Sequence, residues 1–541
     1  MASTGPKSIL AERICRACNL PLHAALWGKS SVERNHCMPK RTGYQQNKHT
    51  KVKKKKWMRH HRYFGLVLAF FLLMFCVSGI VLNHPALFAQ MDVGRNLLPQ
   101  KYHYDKWNNG LMRGTVKWQD KVLLYGNAGI WLTDSTAKAF MDFNRGLPEG
   151  VDNRNIRGMA IMPKGEVFAA AQYGLYRLDV RNTWQAVPLP LQHGDRLADI
   201  ATRGDTLVVT TRSQVFVARA PYRNFSQLQL ASPVDGAPRF SLFRIVWWLH
   251  SGELFGLLGK LIVDAVALVL IFLCLSGVVY WLLPHVGKHA HTAARRWLFS
   301  WHDRVGRVTI VLTLLVCATG WMLRPPLLLL IASAKVPALP FTTASNDNPW
   351  YDKLRSVRWD ERMHDWLLYT SDGFYSLPSL SATPSKIAVQ PPVSVMGLNV
   401  QKTVDGDYWL LGSFSGLYIW QRSTGMVIDY FTEKPAQVVQ GPPVGANAIA
   451  GFSNDFGPDE CVVNYAEGCN SIAMPQWMAT LPMSLRNVAL EIHTGRMYTF
   501  LGPTSVLYIF IVGAAVLWCL WTGWKIRVRV KKNKAKRNEE T

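Results

Sequence analysis

The sequence predicts a membrane α-helical bundle of four spans, built from a duplicated two-span repeat, with two strand-rich external segments. Three observations predict this fold class: four long apolar segments, basic residues beside them, and histidines at matching positions in the two halves. About 20 apolar residues are needed for a helix to cross a hydrocarbon core of about 30 Å. The apolar segments are residues 63–82, 262–283, 305–323 and 504–524.

The charge distribution sets the topology and excludes one class of partner. The formal net charge of +26 would suit a nucleic-acid-binding protein, but 27 Lys and Arg against 5 Asp and Glu lie in residues 1–62, 285–304 and 525–541. These segments flank the spans on alternate sides, as the positive-inside rule requires. We therefore expect no nucleic-acid partner, contact of the basic segments with membrane lipid, and both termini in the cytoplasm.

This topology divides the chain into cytoplasmic, spanning and external parts. The predicted parts are a basic tail (1–56), helix one (57–83), an external segment (84–247), helix two with an external extension (248–284), a basic loop (285–304), helix three (305–331), an external segment (332–490), helix four with an external extension (491–524) and a basic tail (525–541). Because 34 residues separate His250 from Pro284, helix two would be about 50 Å long and would project outside the bilayer.

The nine cysteines fall into three groups. Cysteines inside the apolar segments are expected to act as small hydrophobic residues; they are Cys76, Cys274, Cys317 and Cys519. Cys461 and Cys469 would form a disulfide if their compartment is oxidising and would otherwise stay free. Cys15, Cys18, His36 and Cys37 match a zinc site in residue type but not in spacing, so the role of residues 1–50 stays open.

The external segments carry short alternating apolar runs bounded by turn residues, which is typical of β-structure. A turn glycine followed by an aromatic strand recurs at Gly129, Gly174, Gly373 and Gly416, with Gln214 opening a weaker copy. The spacing is near that of a four-stranded propeller blade, and about four such units would fit in each segment. One propeller shared between the halves, two smaller sheet domains and generic hairpins are all compatible with this pattern.

Four histidines occupy duplicated positions. His302 follows His61 by 241 residues, and each precedes a Gly by four residues and a Ser-Gly or Thr-Gly pair by 17. His493 follows His250 by 243 residues, and each leads into an apolar run that ends in Ser276-Gly277 or Thr522-Gly523. In a membrane bundle, inward imidazoles from two helices at the same depth can bind a haem iron from both faces. We expect two such sites, one near each surface.

Neighbouring residues qualify this interpretation. His84 has no symmetric partner and is a reserve ligand for the outer haem, whereas His60 lacks the spacing that His61 shares with His302. Small residues beside the histidines would let a flat macrocycle approach the helices; they are Gly65, Gly252, Gly256, Gly306 and Gly495. For these glycines and for the Ser-Gly and Thr-Gly pairs, ordinary helix packing is the preferred explanation.

These stretches resemble the PepSY-associated transmembrane-helix family, whose members include bacterial inner-membrane iron-uptake reductases. The resemblance rests on HRYFGLVLAFFLLMFCVSGIVLNH, LHSGELFG, WHDRVGRVTIVLTLLVCATG and IHTGRMY. It implies a dihaem b protein of the inner membrane that passes electrons to ferric siderophores, with His61, His250, His302 and His493 as the haem ligands. No PepSY module is recognisable in the external segments, so the family's substrate does not transfer directly.

Two functions follow from the sequence. The first is a transmembrane electron conduit that takes electrons from quinol or a cytoplasmic reductant and reduces an external acceptor such as a ferric siderophore. No G-x-G-x-x-G motif follows a strand, so the electron donor must be another molecule. The second is a non-enzymatic, membrane-anchored β-rich platform for an envelope partner. The oligomeric state is not predicted.

Overall fold

The computed structural model describes residues 43–192, 194–233, 239–286, 292–332, 334–404, 406–437, 447–457 and 460–538. The chain divides into Met1–Lys55 and Lys56–Thr541, and apart from the start of the first helix everything discussed below lies in the second unit. The zinc-like residues Cys15, Cys18, His36 and Cys37 lie outside the described residues.

The helices include the four expected membrane spans. In the described chain they are α1 (Gly43–Asn83), α2 (Leu242–Ser251), α3 (Gly256–Val286), α4 (Thr292–Met322), α5 (Leu327–Ala332), α6 (Leu485–His493) and α7 (Ser505–Asn538). Four stretches of these are long and apolar enough to cross a membrane: Lys55–Asn83, Glu253–Val286, Thr292–Met322 and Leu507–Ile526. The prediction of a four-span membrane protein is confirmed.

Three four-stranded antiparallel sheets follow the first span. The first contains β2 (Gly114–Trp118), β3 (Lys121–Gly126), β4 (Gly129–Thr133) and β5 (Met141–Asp142). The second contains β6 (Ile156–Ile161), β7 (Val167–Ala171), β8 (Gly174–Leu178) and β9 (Trp184–Val187). The third contains β10 (Leu197–Arg203), β11 (Thr206–Thr211), β12 (Val215–Arg219) and β13 (Ser226–Leu228).

Three further sheets follow the third span. The fourth contains β16 (Leu354–Asp360), β17 (Asp365–Thr370), β18 (Gly373–Leu377) and β19 (Ser385–Lys386). The fifth contains β20 (Val400–Val404), β21 (Tyr408–Ser413), β22 (Gly416–Gln421) and β23 (Met426–Asp429). The sixth has two strands, β24 (Ile449–Ser453) and β25 (Cys461–Asn464). The described residues thus give three of these sheets per segment, fewer than the four units expected. The ends of each segment form other small sheets and short helices, so fewer residues remain for units of over 40 residues each.

The recurrent glycine pattern marks the third strand of each four-stranded sheet. Gly129, Gly174, Gly373 and Gly416 begin β4, β8, β18 and β22, and Gln214 precedes β12. Gly129, Gly373 and Gly416 have positive φ angles of 140°, 113° and 143°, a conformation that glycine adopts without steric cost. The pattern therefore reflects a turn that the second and third strands share.

Each sheet contacts the next one, and the sixth contacts the first. In chain order, one hydrogen bond or ion pair at each contact is Trp184 Nε1 to Phe143 O (2.8 Å), Leu197 N to Gln172 O (3.0 Å), Arg358 to Asp199, Trp409 Nε1 to Asp360 Oδ2 (2.8 Å), Asn399 Nδ2 to Ile449 O (2.7 Å) and Thr115 Oγ1 to Ser453 Oγ (2.6 Å). Sheets from the two halves of the sequence are therefore packed together.

Two small sheets join the spans to the short helices and follow the duplication. β1 (Asp92–Val93) pairs with β26 (Met483–Ser484), which leads into α6. β14 (Arg239–Ser241), which leads into α2, pairs with β15 (Lys335–Pro337). Ser241 and Ser484, 243 residues apart, each cap a helix by accepting from a backbone N–H three residues on, at 3.3 Å. Such N-caps are each worth about 1 kcal/mol.

Spans two and four do not continue outside the membrane as single helices. Gly252, with a φ angle of 78°, ends α2, and Gly256, with a φ angle of 62°, opens α3. A Cβ added at Gly252 would lie 2.2 Å from the carbonyl oxygen of Gly259, so only glycine fits. Gly495 and Gly502 have φ angles of 77° and 52° between α6 and α7. The expected continuous projection is thus a short helix and a turn.

Cys461 and Cys469 form a disulfide with a Cα–Cα distance of 6.3 Å. Cys461 lies in β25 and both residues belong to a core cluster that also contains Trp107, Leu111 and Val463. The bond therefore joins the loop after β25 to that strand, inside a cluster that also contains residues of the first sheet. In the spans, Cys76, Cys274 and Cys519 are buried and Cys317 is partly buried, all with free thiols.

Candidate functional site: two histidine pairs in the helical bundle

The bundle brings His61 on α1 together with His302 on α4. The centroids of their rings are 6.3 Å apart and the ring planes are 77° from parallel. On the external side, His250 at the end of α2 lies beside His493 at the end of α6, with ring centroids 6.0 Å apart and an interplanar angle of 48°. Each pair combines equivalent residues of the two repeats, as the duplicated spacing predicts.

The Nδ1 atoms of the inner pair, His61 and His302, form hydrogen bonds to helices α7 and α3. His61 Nδ1 lies 3.1 Å from the carbonyl oxygen of Cys519. Because a carbonyl oxygen only accepts, Nδ1 carries the proton. His302 Nδ1 lies 2.9 Å from the hydroxyl oxygen of Ser276, which itself donates to the carbonyl of Leu273, so Nδ1 is again the donor. In this tautomer the lone pair is on Nε2.

The outer pair is held in the same way. His250 Nδ1 donates to the carbonyl oxygen of Val316 at 3.0 Å, and His493 Nδ1 to that of Phe75 at 3.1 Å. The hydroxyl of Ser78, which donates to Met74 O at 2.6 Å, also lies 3.1 Å from His493 Nδ1. The proton again lies on Nδ1 and the lone pair on Nε2.

The four Ser-Gly and Thr-Gly pairs are the residues that sequence reasoning undervalued. Each pair receives one histidine ring: the hydroxyl lies near Nδ1 and the glycine lies against Cε1. A Cβ added at the glycine would meet that ring carbon at 2.7 Å for Gly320 and His250, 3.1 Å for Gly523 and His61, 3.4 Å for Gly79 and His493, and 3.6 Å for Gly277 and His302. The pairs therefore seat the imidazoles in addition to packing the helices. Their duplication together with the histidines was the signal.

The donor set fits a metal bound between two imidazoles. In the part of the chain that is described, no protein group hydrogen-bonds to Nε2 of the four histidines. A ring N–H donated to a backbone carbonyl is the usual support of a metal-binding histidine. With metal–nitrogen bonds of about 2.0 Å, two imidazoles on opposite sides of one metal have centroids about 6.3 Å apart, close to the separations observed.

Each histidine pair offers a metal two protein ligands. Among the described residues, no cluster of three or more His, Cys, Asp or Glu side chains is placed to hold a metal. Two imidazoles alone leave a metal's coordination incomplete, and a haem supplies the four equatorial nitrogens. A donor set of two histidines at each pair is compatible with a haem.

The two pairs lie at different depths in the membrane. Phe75, whose carbonyl accepts from His493, follows His61 on α1 by 14 residues, and Val316, which accepts from His250, follows His302 on α4 by 14 residues. At about 1.5 Å per residue, the two levels are about 21 Å apart along the helices. This separation lies within a hydrocarbon core of about 30 Å.

The other candidate histidines have different surroundings. His84 Nε2 lies 2.6 Å from Asp264 Oδ2, so the nitrogen expected to act as reserve ligand is engaged with a carboxylate. This contact also accounts for the acidic Asp264 at the edge of a span. His60 stacks on Phe64 with centroids 6.2 Å apart and does not join the pair.

The glycines expected to admit a macrocycle have several roles. Cβ atoms added at Gly65 and Gly306 would be 3.6 Å from Cys519 Sγ and from a Leu273 methyl, which is ordinary helix contact. Gly252 and Gly495 are required by backbone conformation and by the close approach of Gly259 and Ile509. Gly252 therefore has a local packing role, as preferred from the sequence, rather than a role in admitting a flat ligand.

The comparisons with known proteins support the membrane part of this description. A family model described as PepSY-associated TM region matches residues 26–283 and 166–528. No curated protein matches the sequence.

Several solved structures match the chain at low identity and low TM-score. The extracellular domain of a protein described as a hybrid two component system from B. thetaiotaomicron is 8% identical, covers 67% of this chain and has a TM-score of 0.30. PorZ of Porphyromonas gingivalis is 10% identical, with 69% coverage and a TM-score of 0.28. The WD40 domain of SCAP from fission yeast is 12% identical, with 68% coverage and a TM-score of 0.21. The chain spans 39%, 39% and 62% of the lengths of these three proteins.

Proposed function

Because the chain belongs to the family of PepSY-associated TM regions, we propose that it is a dihaem b electron-transfer protein that reduces an external acceptor, most naturally a ferric siderophore or another ferric complex. One observation carries the proposal: four duplicated histidines form two pairs, each ring fixed through Nδ1 with Nε2 left without a protein partner in the described chain.

The residues of the chain would hold and orient the cofactors. His61 and His302 would hold one haem on the cytoplasmic side, and His250 and His493 would hold the other on the external side. A haem b bound at each pair would supply one-electron redox chemistry. Buried apolar residues between the two levels, including Leu68, Val266 and Val516, exclude water from the path between the pairs. The carbonyls of Cys519, Val316 and Phe75 fix the tautomer that leaves Nε2 available.

The reaction requires a separate electron donor. Reduction of one Fe(III) chelate to Fe(II) consumes one electron, and oxidation of one quinol supplies two electrons and two protons; a soluble cytoplasmic reductant is the alternative donor. Ferrous iron is bound less tightly than ferric iron by oxygen ligands, so reduction promotes release of the metal. We propose that the protein lies in the bacterial inner membrane with both termini in the cytoplasm. The basic residues that flank the spans support this orientation under the positive-inside rule.

The external sheets would form one propeller-like ring shared between the halves. The closed order of contacts from the first sheet to the sixth and back to the first supports this arrangement. Such a ring presents its connecting loops at two ends, one of which lies where α2 and α6 begin. It would cover the external histidine pair and limit access to it.

The absorbance spectrum of the purified protein tests the proposal. We expect a dithionite-reduced sample to show the sharp α-band of a bis-imidazole haem b, with two haems per chain. His302→Ala and His493→Ala should each remove about one haem. His60→Ala is the matched control, because this residue precedes His61 on the same helix and stacks on Phe64. Protein without a haem spectrum after haem-replete expression would contradict the proposal and leave the membrane-anchored platform as the function.

The platform remains the second candidate because six packed sheets occupy most of the external chain. Its distinguishing result is an envelope partner that binds His302→Ala and His493→Ala variants as well as the unchanged protein.

A further inference from the structure

Four arginines converge where the external sheets meet α6. Arg113 immediately precedes β2, Arg157 lies in β6, Arg196 immediately precedes β10, and Arg486 lies in the first turn of α6. None of these four forms an ion pair with a carboxylate in the described residues; the ion pairs found there involve other basic residues. The arginines therefore make a positive cluster without direct neutralisation.

Hydrogen bonds fix two of these side chains. Arg113 donates to the side-chain oxygen of Asn155 at 3.2 Å and to the carbonyl of Ile156. Arg157 Nη2 donates to the side-chain oxygen of Gln172 at 2.5 Å, and Asn155 Nδ2 lies 3.3 Å from the same oxygen. The first two sheets thus position their arginines through one polar network.

Several buried polar atoms around the cluster have no partner among the described residues. They are Nε of Arg157, Nε of Arg486, Nε2 of Gln172 and the hydroxyl of Tyr173. A buried donor without an acceptor costs about 1–3 kcal/mol. Donors on neighbouring elements that lack acceptors together are the expected lining of a site for an acceptor-rich ligand.

The electrostatics of the cluster favour an anion. Burial lowers the pKa of Arg157 well below its ordinary value, and repulsion from Arg113, Arg486 and Arg196 lowers it further. Burial also lowers the pKa values of Arg113 and Arg196. Asp152, whose carboxylate oxygens are buried and unpartnered in the described chain, is the acid that acts on Arg196. Arg212, which is paired with Asp352, also repels Arg157 and Arg196. One unpaired negative charge therefore faces four arginines that lack an ion pair in the described residues. A bound anion would relieve this repulsion.

The cluster is connected to the external histidine pair by one short helix. Arg486 and His493 are seven residues apart on α6, which corresponds to a rise of about 10 Å. A ligand that contacts Arg486 would therefore lie close to the site from which, under the proposed function, electrons leave the protein.

We propose that Arg113, Arg157, Arg196 and Arg486 form a binding site for a carboxylate-rich anion, and that the acceptor is such an anion in complex with iron. This inference rests on the proposed electron-transfer function. Guanidinium groups bind carboxylates through paired, charge-assisted hydrogen bonds. A compact polycarboxylate with about three negative charges would match four arginines and Asp152. The carboxylates of a haem at the outer pair share this chemistry and are the other possible source.

Binding of gallium(III) citrate, which is redox-inert, to the full-length protein in detergent tests the site. We expect saturable binding by calorimetry that weakens about tenfold in Arg196→Gln, the loss of one charge-assisted contact. Arg157→Gln is the second variant and should weaken binding at least as much. Arg181→Gln is the control, because Arg181 is exposed on the turn between β8 and β9. Equal binding by the unchanged protein and both cluster variants, or no binding by any, overturns the proposal.

Further measurements distinguish a free anion from haem carboxylates as the ligand. They also distinguish failure of the anion site from failure of the electron-transfer function. Retained gallium citrate binding in His493→Ala supports a free anion as the ligand. Absence of citrate binding, together with loss of one haem in Arg196→Gln, would assign the arginines to haem carboxylates and overturn the acceptor site. Citrate binding that depends on Arg196 in a protein without a haem spectrum would contradict the electron-transfer function while keeping the anion site.

Discussion

The inner and outer histidine pairs have the same local chemistry but different supports. His61 and His302 lie within the long helices α1 and α4, and their partners Cys519 and Ser276 lie on the other two spans. His250 and His493 instead end the short helices α2 and α6, which begin at small sheets outside the spans. The inner pair therefore depends on the bundle alone, whereas the outer pair depends on the external domain as well.

Because of this difference, the position of the histidine is fixed differently in the two pairs. In the inner pair, each histidine lies within a continuous helix, so its place in that helix fixes its depth in the bundle. Where the histidine follows a cap and a short helix, external contacts can adjust it: Arg324 donates to the carbonyl of His493 at 3.0 Å, and Arg244 of α2 pairs with Asp352. Changes in the external domain should reach the outer pair and leave the inner pair unaffected.

Gly320→Ala should have the largest effect on the outer pair. The new Cβ would lie 2.7 Å from Cε1 of His250, a distance that forces the ring or helix α4 to move. We expect a loss of about 2–3 kcal/mol in stability and loss of the outer haem, measured by thermal unfolding and by haem content. The inner haem should remain.

Gly277→Ala is its matched control at the inner pair. There the added Cβ would be 3.6 Å from Cε1 of His302, an ordinary contact, and both haems should be kept. Loss of the inner haem in Gly277→Ala together with a normal Gly320→Ala protein would reverse the comparison between the pairs.

The histidine pairs could be predicted from the sequence because the same spacing of residues occurs in both halves of the chain. Offsets of 241 and 243 residues, with a Ser-Gly or Thr-Gly pair for each ring, specify equivalent positions in two copies of one unit. Four spans were predicted because the bilayer requires long apolar helices. The contact of each Ser-Gly or Thr-Gly pair with a histidine ring was not predicted, because it joins residues up to 461 positions apart.

Other features depended on tertiary structure and could not be predicted. The glycine that begins the third strand of four of the sheets predicted the strands themselves. The number of sheets and the order in which they contact one another depend on long-range pairs such as Thr115 with Ser453. The arginine cluster was not found because Arg113, Arg157, Arg196 and Arg486 follow no sequence period. The break after His250 was missed because the close approach of Gly252 to Gly259 is a property of the folded backbone.

Asp352→Asn should disturb the outer pair through α2. The carboxylate of Asp352 accepts from Arg212 at 2.5 Å and from Arg244 on α2. Its removal leaves two partly buried guanidinium groups with one neutral acceptor, which we expect to cost about 2 kcal/mol. Thermal unfolding and haem spectra of the two sites should show a change at the outer site.

Asp407→Asn serves as the control for this prediction. Asp407 pairs with Arg362 at 2.6 Å between two external sheets, away from α2. A change at the outer haem of equal size in both variants would mean that α2 is not the route of the effect.

Ser484→Ala and Ser241→Ala should have smaller and nearly equal effects. Each hydroxyl caps one short helix through a 3.3 Å contact to a backbone N–H, and removal of such a cap costs about 1 kcal/mol. Because the two positions are equivalent in the repeat, unfolding temperatures should fall by similar amounts. A shift in the spectrum of the inner haem, or a marked inequality between the two variants, would contradict the separate support of the outer pair.

Thr522→Val should have the smallest effect and sharpens the comparison within the inner pair. The Thr522 hydroxyl is 3.4 Å from His61 Nδ1, which already donates to the Cys519 carbonyl at 3.1 Å, so we expect a loss of about 0.5 kcal/mol or less. Ser276→Ala removes a shorter contact, 2.9 Å from His302 Nδ1, and should cost about 1 kcal/mol. Unfolding measurements, with the reduction potential of the inner haem as a second readout, should rank Ser276→Ala above Thr522→Val. The opposite ranking would show that the Thr522 hydroxyl, and not the Cys519 carbonyl, is the main acceptor for His61.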